Sequence, residues 1–157
     1  MCNLYNITKG PQAILAFTRA MTSRVGNLEP GKVYPDYAAP IVRVNQGERE
    51  LVNARWGMPT PPKFLEGKKT DSGVTNVRNV GSPHWRRWLG EESRCVVPAT
   101  EFSEYSSKRG PDGKLPLHWF ALNEERPLFV FAGIWTRWTS VRKLKEGEVE
   151  ADIFAFL

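Results

Sequence analysis

The 157-residue chain is short of the residues that build disulfide or metal sites, with two cysteines, Cys2 and Cys95, and two histidines. Two thiols so far apart give no disulfide framework, and no Cys/His spacing suits zinc. No apolar run approaches the roughly 20 residues that a membrane helix needs. The N-terminus lacks the basic region and apolar stretch of a secretory signal. These absences predict a protein of the reducing cytoplasm, with no metal, no organic cofactor and no membrane partner. Repeats and low-complexity segments are also missing, so 1–157 reads as one domain.

What is present is ordinary for a globular fold, with 41% hydrophobic and 25% charged residues. The net charge of +5 is uneven: residues 51–109 carry ten basic and six acidic side chains, and 110–157 carry six and seven. A central surplus permits a polyanionic partner, and a solvated surface explains it equally well.

Short apolar runs separated by turn residues predict strands over 3–7, 41–44, 51–56, 94–97, 101–105, 117–122, 128–135 and 152–157. Asn45-Gln46-Gly47-Glu48 reads as a hairpin turn, and 109–113 as a second hairpin loop. Residues 11–24 read as an amphipathic helix with Ile14, Phe17 and Met21 on one face and Pro11 in the first turn. Ser82-Pro83 opens a short helix over 84–89, closed by Gly90. Residues 27–40 and 56–73 read as Pro/Gly-rich loops, the second long enough to suggest function. Together these predict an α+β domain with a largely antiparallel, barrel-like sheet and a few flanking helices. The final run, Asp152-Ile153-Phe154-Ala155-Phe156-Leu157, ends inside an expected core strand, so the chain reads as truncated at its C-terminal side.

The second residue carries the most specific chemistry. Removal of Met1 leaves Cys2 with a free α-amine beside its own thiol, a 1,2-aminothiol that no internal cysteine offers. Such a pair condenses with an aldehyde to an imine, and the sulfur closes a thiazolidine ring. Reference pKa values of about 7.7–8.0 for the amine and about 8.5 for the thiol leave reactive fractions of both near neutrality. Cys95, in the run Cys95-Val96-Val97, reads instead as a buried strand thiol.

Three further stretches could support chemistry. In Thr75-Asn76-Val77-Arg78-Asn79, an amide and a guanidinium alternate by two and share a face in a strand, suited to an oxygen-rich group and a phosphate. An exposed polar strand edge is the plainer alternative. In Glu101-Phe102-Ser103-Glu104-Tyr105, alternation places Glu104 beside Phe102, where apolar walls would raise its pKa and equip it to shuttle protons. A solvated edge-strand carboxylate is the alternative. In His84-Trp85-Arg86-Arg87-Trp88, cations interleave with aromatics as in single-strand binders. Helical spacing of Trp85, Trp88 and Leu89 points as readily to core packing.

The order of Met1-Cys2-Asn3-Leu4-Tyr5, Tyr37-Ala38-Ala39-Pro40, Arg55-Trp56-Gly57-Met58-Pro59, Thr75-Asn76-Val77-Arg78, Arg94-Cys95-Val96-Val97-Pro98 and Phe102-Ser103-Glu104-Tyr105 resembles the SOS response-associated peptidase (SRAP) family, the abasic-site processing proteins. The resemblance spans essentially the whole chain. It implies a monomeric sensor that crosslinks itself through Cys2 to abasic sites in single-stranded DNA, with peptidase-type removal of Met1 and possible lyase activity. By motif it implies Cys2 as nucleophile, Asn76 as hydrogen-bonding partner of the adduct and Glu104 as proton relay. Arg78 would hold a phosphate, and Pro40, Trp56, Tyr105, Arg86 and Arg87 would lie near the DNA.

Val77 stands where the family has Ala, and Tyr105 where Trp is common. The family's catalytic His falls in a segment beyond the strand resembling 152–157, and neither His84 nor His118 lies in that motif. Two other readings of the residues remain open. One is an N-terminal-nucleophile cysteine amidohydrolase. The other is a non-covalent single-stranded nucleic-acid binder.

Overall fold

Gln46 and Gly47 set the first long hairpin. Both have positive φ, 51° and 83°, the twist that a two-residue turn needs to match the strands it joins. The turn connects β4 (Ala38–Asn45) to β5 (Glu48–Trp56), paired in register from Asn45↔Glu48 to Ala38↔Arg55. The computed structural model describes residues 3–157. Its remaining strands are β1 (Tyr5–Ile7), β2 (Thr22–Ser23), β3 (Gly31–Val33), β6 (Arg94–Ala99), β7 (Glu101–Tyr105), β8 (Leu117–Phe120), β9 (Phe129–Val141) and β10 (Glu148–Phe156).

The sheet β5-β4-β6-β9-β10 closes on itself, because β10 returns to β5 in parallel through Ile153↔Arg55 and Phe154↔Trp56. The result is a five-stranded barrel with β2 added to the edge of β5. Beside it lies an antiparallel sheet of order β3-β1-β7-β8. One α-helix is present among the described residues, α1 (Pro11–Thr18). This is the expected α+β, barrel-like domain.

Two apolar clusters fill it. Tyr5, Ile41, Leu51, Trp56, Val97, Phe154 and Phe156 belong to one; Met58, Val77, Trp85, Trp88, Ile134, Ile153 and Ala155 form the other. β10 therefore feeds a different cluster from each face, which explains why its end reads as an unbroken apolar run.

The helix expected over 11–24 stops at Thr18, where Arg19 turns left-handed (φ 53°) and caps it through the Ala20 N–H to Leu15 carbonyl bond of 3.1 Å. Only Ile14 is buried in it, while Phe17 and Met21 lie 53% and 74% exposed. With so little apolar surface to bury as helix, residues 21–24 instead hydrogen-bond the open edge of β5. The Met21 N–H donates to the Arg49 carbonyl and the Arg24 N–H to that of Leu51, each at 2.8 Å. The expected helix over 84–89 is a single 3₁₀ turn, Arg86–Trp88. Its tighter period aligns residues three apart, and that puts Trp85 and Trp88 together in the second cluster.

A buried ion pair braces the barrel. Glu50, 3% exposed, accepts from Arg43 Nε at 2.8 Å and lies 3.2 Å from Arg24. Arg43 also donates to Asp152 at 2.8 Å and stacks 4.0 Å from the Trp135 ring. Burial is the largest single influence and would raise the Glu50 pKa, but the hydrogen bond and charge of Arg43, with Asn45 and Arg24, together outweigh it and hold the carboxyl below its ordinary 4.5. A depressed carboxylate stabilises the fold above the unfolded value, and that contribution disappears as pH falls through the folded one. Glu50→Gln is expected to cost about 3 kcal/mol at pH 7 by urea denaturation. The gap to wild type should shrink steadily below pH 4.5.

Candidate active site

Residues 74–78 form a short extended segment beside the ends of β5 and β10. Asn76 bridges Phe156 in parallel and Val74 bridges Met58. The Thr75 carbonyl accepts two hydrogen bonds, from the Phe156 N–H at 3.0 Å and from Trp56 Nε1–H at 3.1 Å. The Val77 N–H in turn donates to the Phe156 carbonyl at 2.8 Å. Val77 enters the core at 4% exposure. By alternation Asn76 and Arg78 face the other way. Asn76 Nδ2 donates to Thr75 Oγ1 at 2.9 Å.

These two residues line an open groove of about 1070 Å³. Lys63, Phe64 and Lys68 form one part of its wall and His84, Trp85 and Arg87 another. No carboxylate is among the described residues lining it. Arg87 is fixed by stacking, its guanidinium 3.9 Å from the Trp88 ring and 5.1 Å from that of Trp138. His84 Nε2 lies 2.9 Å from the Pro59 carbonyl, so that nitrogen carries a proton, and its ring meets Trp85 edge-on at 4.5 Å. Aromatic faces with clustered cations suit a single-stranded polyanion.

Glu104 occupies the end of β7 beside the start of β1. The strands pair through Tyr5↔Phe102, and Ser103 clasps the Leu4 carbonyl twice, by N–H at 2.9 Å and Oγ–H at 3.0 Å. Across β8, Glu104 stands opposite His118. Both faces of β7 are covered: Glu101 and Ser103 are buried on one and find polar partners, while Phe102 packs against the core cluster from the other. Glu101 accepts from Asn6 Nδ2 at 2.8 Å and pairs with Arg126 at 3.2 Å. Phe102 turns to Phe120 and Phe131, each 5.4 Å away, and Glu104 on its side is half-buried.

Of the residues singled out in sequence, Asn76, Arg78 and Arg87 meet in the groove. Arg86 and Tyr105 are exposed and line no part of it. Cys2 lies outside the described residues. Pro40 and Trp56 require correction as DNA-facing loop residues. Pro40 is buried inside β4, and Trp56 is fully buried at the end of β5, ring-to-ring with Tyr5 and Phe156. The loop expected around Pro40 is strand β4, whereas Trp56 ends the strand expected over 51–56 and contributes by holding the Thr75 carbonyl. The reading also missed Lys63, Phe64 and Lys68. Their signal was there in the long 56–73 loop, which carries Lys63-Phe64 and Lys68-Lys69 among its prolines and glycines.

A smaller, mostly apolar cleft of about 380 Å³ lies away from this groove, between α1 and the β4–β6 face, with Cys95 in its lining. Burial pushes the Cys95 thiol up to about 12, so almost no thiolate forms there near neutrality. Iodoacetamide at pH 8 is expected to leave Cys95 unmodified in folded protein and to alkylate it in denaturant, read by peptide mass mapping.

The described residues thus form a closed barrel, a flanking antiparallel sheet and a cationic groove over Asn76 and Arg78. The profile of the SOS response associated peptidase (SRAP) family matches residues 1–154, and the chain belongs to that family. Membership links it to the SOS response and is compatible with a peptidase-like enzyme. Solved structures agree in fold. A Bordetella bronchiseptica protein is 22% identical at TM-score 0.62, with 98% of this chain and 70% of that one covered. A Bacteroides thetaiotaomicron protein is 20% identical at TM-score 0.67, with 98% and 66% covered. A phage-related protein of Bordetella bronchiseptica is 18% identical at TM-score 0.61, with 97% and 68% covered. None of the curated proteins is significantly similar. No helix among the described residues is long and apolar enough to cross a membrane.

Proposed function

We propose that the protein acts as a monomer on single-stranded DNA in the cytoplasm and captures abasic sites covalently through Cys2 once Met1 has been removed. The observation that carries this reading is the carboxylate-free cationic groove that has Asn76 and Arg78 on its wall. Family membership and the 1,2-aminothiol available at Cys2 support it.

In this reading the strand lies in the groove with a phosphate on Arg78, held as guanidinium groups hold phosphate oxygens. The ring-opened sugar presents its aldehyde to Cys2. The α-amine adds to the carbonyl carbon, and the resulting carbinolamine loses water to give an imine. The thiolate then adds to the imine carbon while the nitrogen takes a proton, closing the thiazolidine with net loss of one water. Glu104, beside the start of β1, moves the protons of ring opening and dehydration. Asn76 hydrogen-bonds the oxygen functions next to the adduct. Removal of Met1 is the peptidase-type step, and it makes the nucleophile.

Incubation with abasic single-stranded DNA is expected to give an adduct that survives a denaturing gel, with none on intact strands. Intact mass should show Met1 absent. Cys2→Ala should abolish the adduct, and Glu104→Gln should slow it by about 10²-fold at saturating DNA, the lower bound for a lost acid–base group. Arg78→Ala should weaken strand binding and lower its log–log salt slope by about 0.7. Binding to intact and abasic strands alike, with no covalent product, would instead establish a non-covalent binder.

A further inference from the structure

The groove wall bearing Lys63, Phe64 and Lys68 is a long excursion whose ends are tied by the Met58–Val74 bridge, with N–H to carbonyl bonds of 2.9 and 2.8 Å. A buried arginine from another part of the chain sits at that tie. Arg142 follows directly on β9 and has a side chain 2% exposed. Its Nη1 donates to the Asp71 carbonyl at 3.1 Å, and its Nη2 donates to the Gly57 carbonyl. It thus grips one residue at each end of the excursion.

The Asp71 carboxylate, 3.9 Å from Arg142 Nη1, extends the grip into the wall. It accepts from the Thr60 N–H at 3.1 Å, from the Thr60 hydroxyl and from the Gly73 N–H at 2.8 Å. The Asp71 N–H itself donates to the Val141 carbonyl at 2.9 Å. Space for the guanidinium depends on two glycines with positive φ. A Cβ on Gly73 would stand 2.1 Å from Nη1, and one on Gly57 3.2 Å.

A guanidinium buried in this way is a weak choice for stability alone, since apolar replacements of similar volume commonly serve as well. What it offers that an apolar side chain does not is directional attachment to two separated backbone carbonyls. Arg142 lines no part of the groove, so any effect on a bound strand passes through the wall.

We propose that Arg142 is a positioning residue for strand binding: clasped to Gly57 and Asp71, it holds the wall so that Lys63 and Lys68 reach phosphates of the strand lying over Asn76 and Arg78. This rests on the single-stranded DNA reading above. It adds a second pair of phosphate contacts to that site and names what fixes them.

The test measures anisotropy of a fluorescein-labelled 12-nucleotide oligothymidine, without abasic sites, against salt for full-length protein. Lys63→Ala/Lys68→Ala is expected to lower the log–log salt slope by about 1.4, two contacts at roughly 0.7 each. Arg142→Lys, too short to span both carbonyls, should lose the same slope while still melting cooperatively. Adding it to the double lysine variant should then remove nothing further, since both act through the same contacts.

A wild-type slope in Arg142→Lys, or losses that add when the variants are combined, overturns the proposal. If Arg142→Lys fails to melt cooperatively, Thr60→Val, which loses only the hydroxyl bond to Asp71, replaces it. A reduced slope in Thr60→Val supports the clasp, and an unchanged one overturns it. Wild-type binding that ignores Lys63 and Lys68 defeats this proposal and leaves the DNA reading intact. Failure of the wild type to bind any strand defeats both.

Discussion

The carbonyl of Thr75 is the point on which the site depends. It accepts from the backbone of β10 through Phe156 and from the indole of Trp56 at the end of β5. Those are the two strands whose parallel pairing closes the barrel. A half-buried carbonyl with both acceptor directions occupied has little freedom to move. Asn76, the next residue, is therefore placed by the closure of the barrel and not by a loop of its own. Tyr5 completes the arrangement, 5.1 Å from the Trp56 ring and 5.4 Å from that of Phe156. Through it the first strand of the second sheet is packed on the same aromatic group.

That packing explains how distant pieces of sequence are held against one another. β1 carries the chain away from its N-terminus, β7 carries Glu104, and the 74–78 segment carries Asn76 and Arg78. Ser103 fastens Leu4 to β7, while Tyr5 fastens β1 to Trp56 and Phe156. Proton-transfer chemistry needs its groups held within hydrogen-bond reach of the reacting atoms. Rigid strands keep such distances better than loops.

Much of the fold was legible where local and global preferences agree. The Gln46-Gly47 turn, the alternation in 101–105 and the two-sided apolar run at 153–156 each signal one structure, and each forms it. Legibility failed where tertiary partners decided the outcome. Nothing near 19–24 announces that the open edge of β5 will take this segment from a helix. Trp56 ends an expected strand next to a Gly/Pro-rich loop, and only the closure by β10 shows its ring to be a core residue. The groove wall was visible as a long loop but not as a wall, because Arg142, which ties it, lies 71 residues from Asp71. Asn76 and Arg78 were found because an alternating pair of polar side chains is a local pattern.

The charge distribution supplies the last step. A surplus of +5 is modest, and most carboxylates near arginines are already engaged. Arg55 and Lys143 share Asp36 and Glu146; Arg137 takes Glu150 and Asp152; Arg43 takes Glu50 and Asp152. Lys63, Lys68, Arg78 and Arg87 have no such partner among the described residues, and all four line one groove. The field there is set by unneutralised cations close together, and the net charge of the chain understates it. Arg87 is held over two indole rings in advance, so little side-chain freedom is left to lose when a phosphate arrives. A neutral or cationic substrate would gain nothing from such a surface. An extended anion of several phosphates would gain at every cation it crosses.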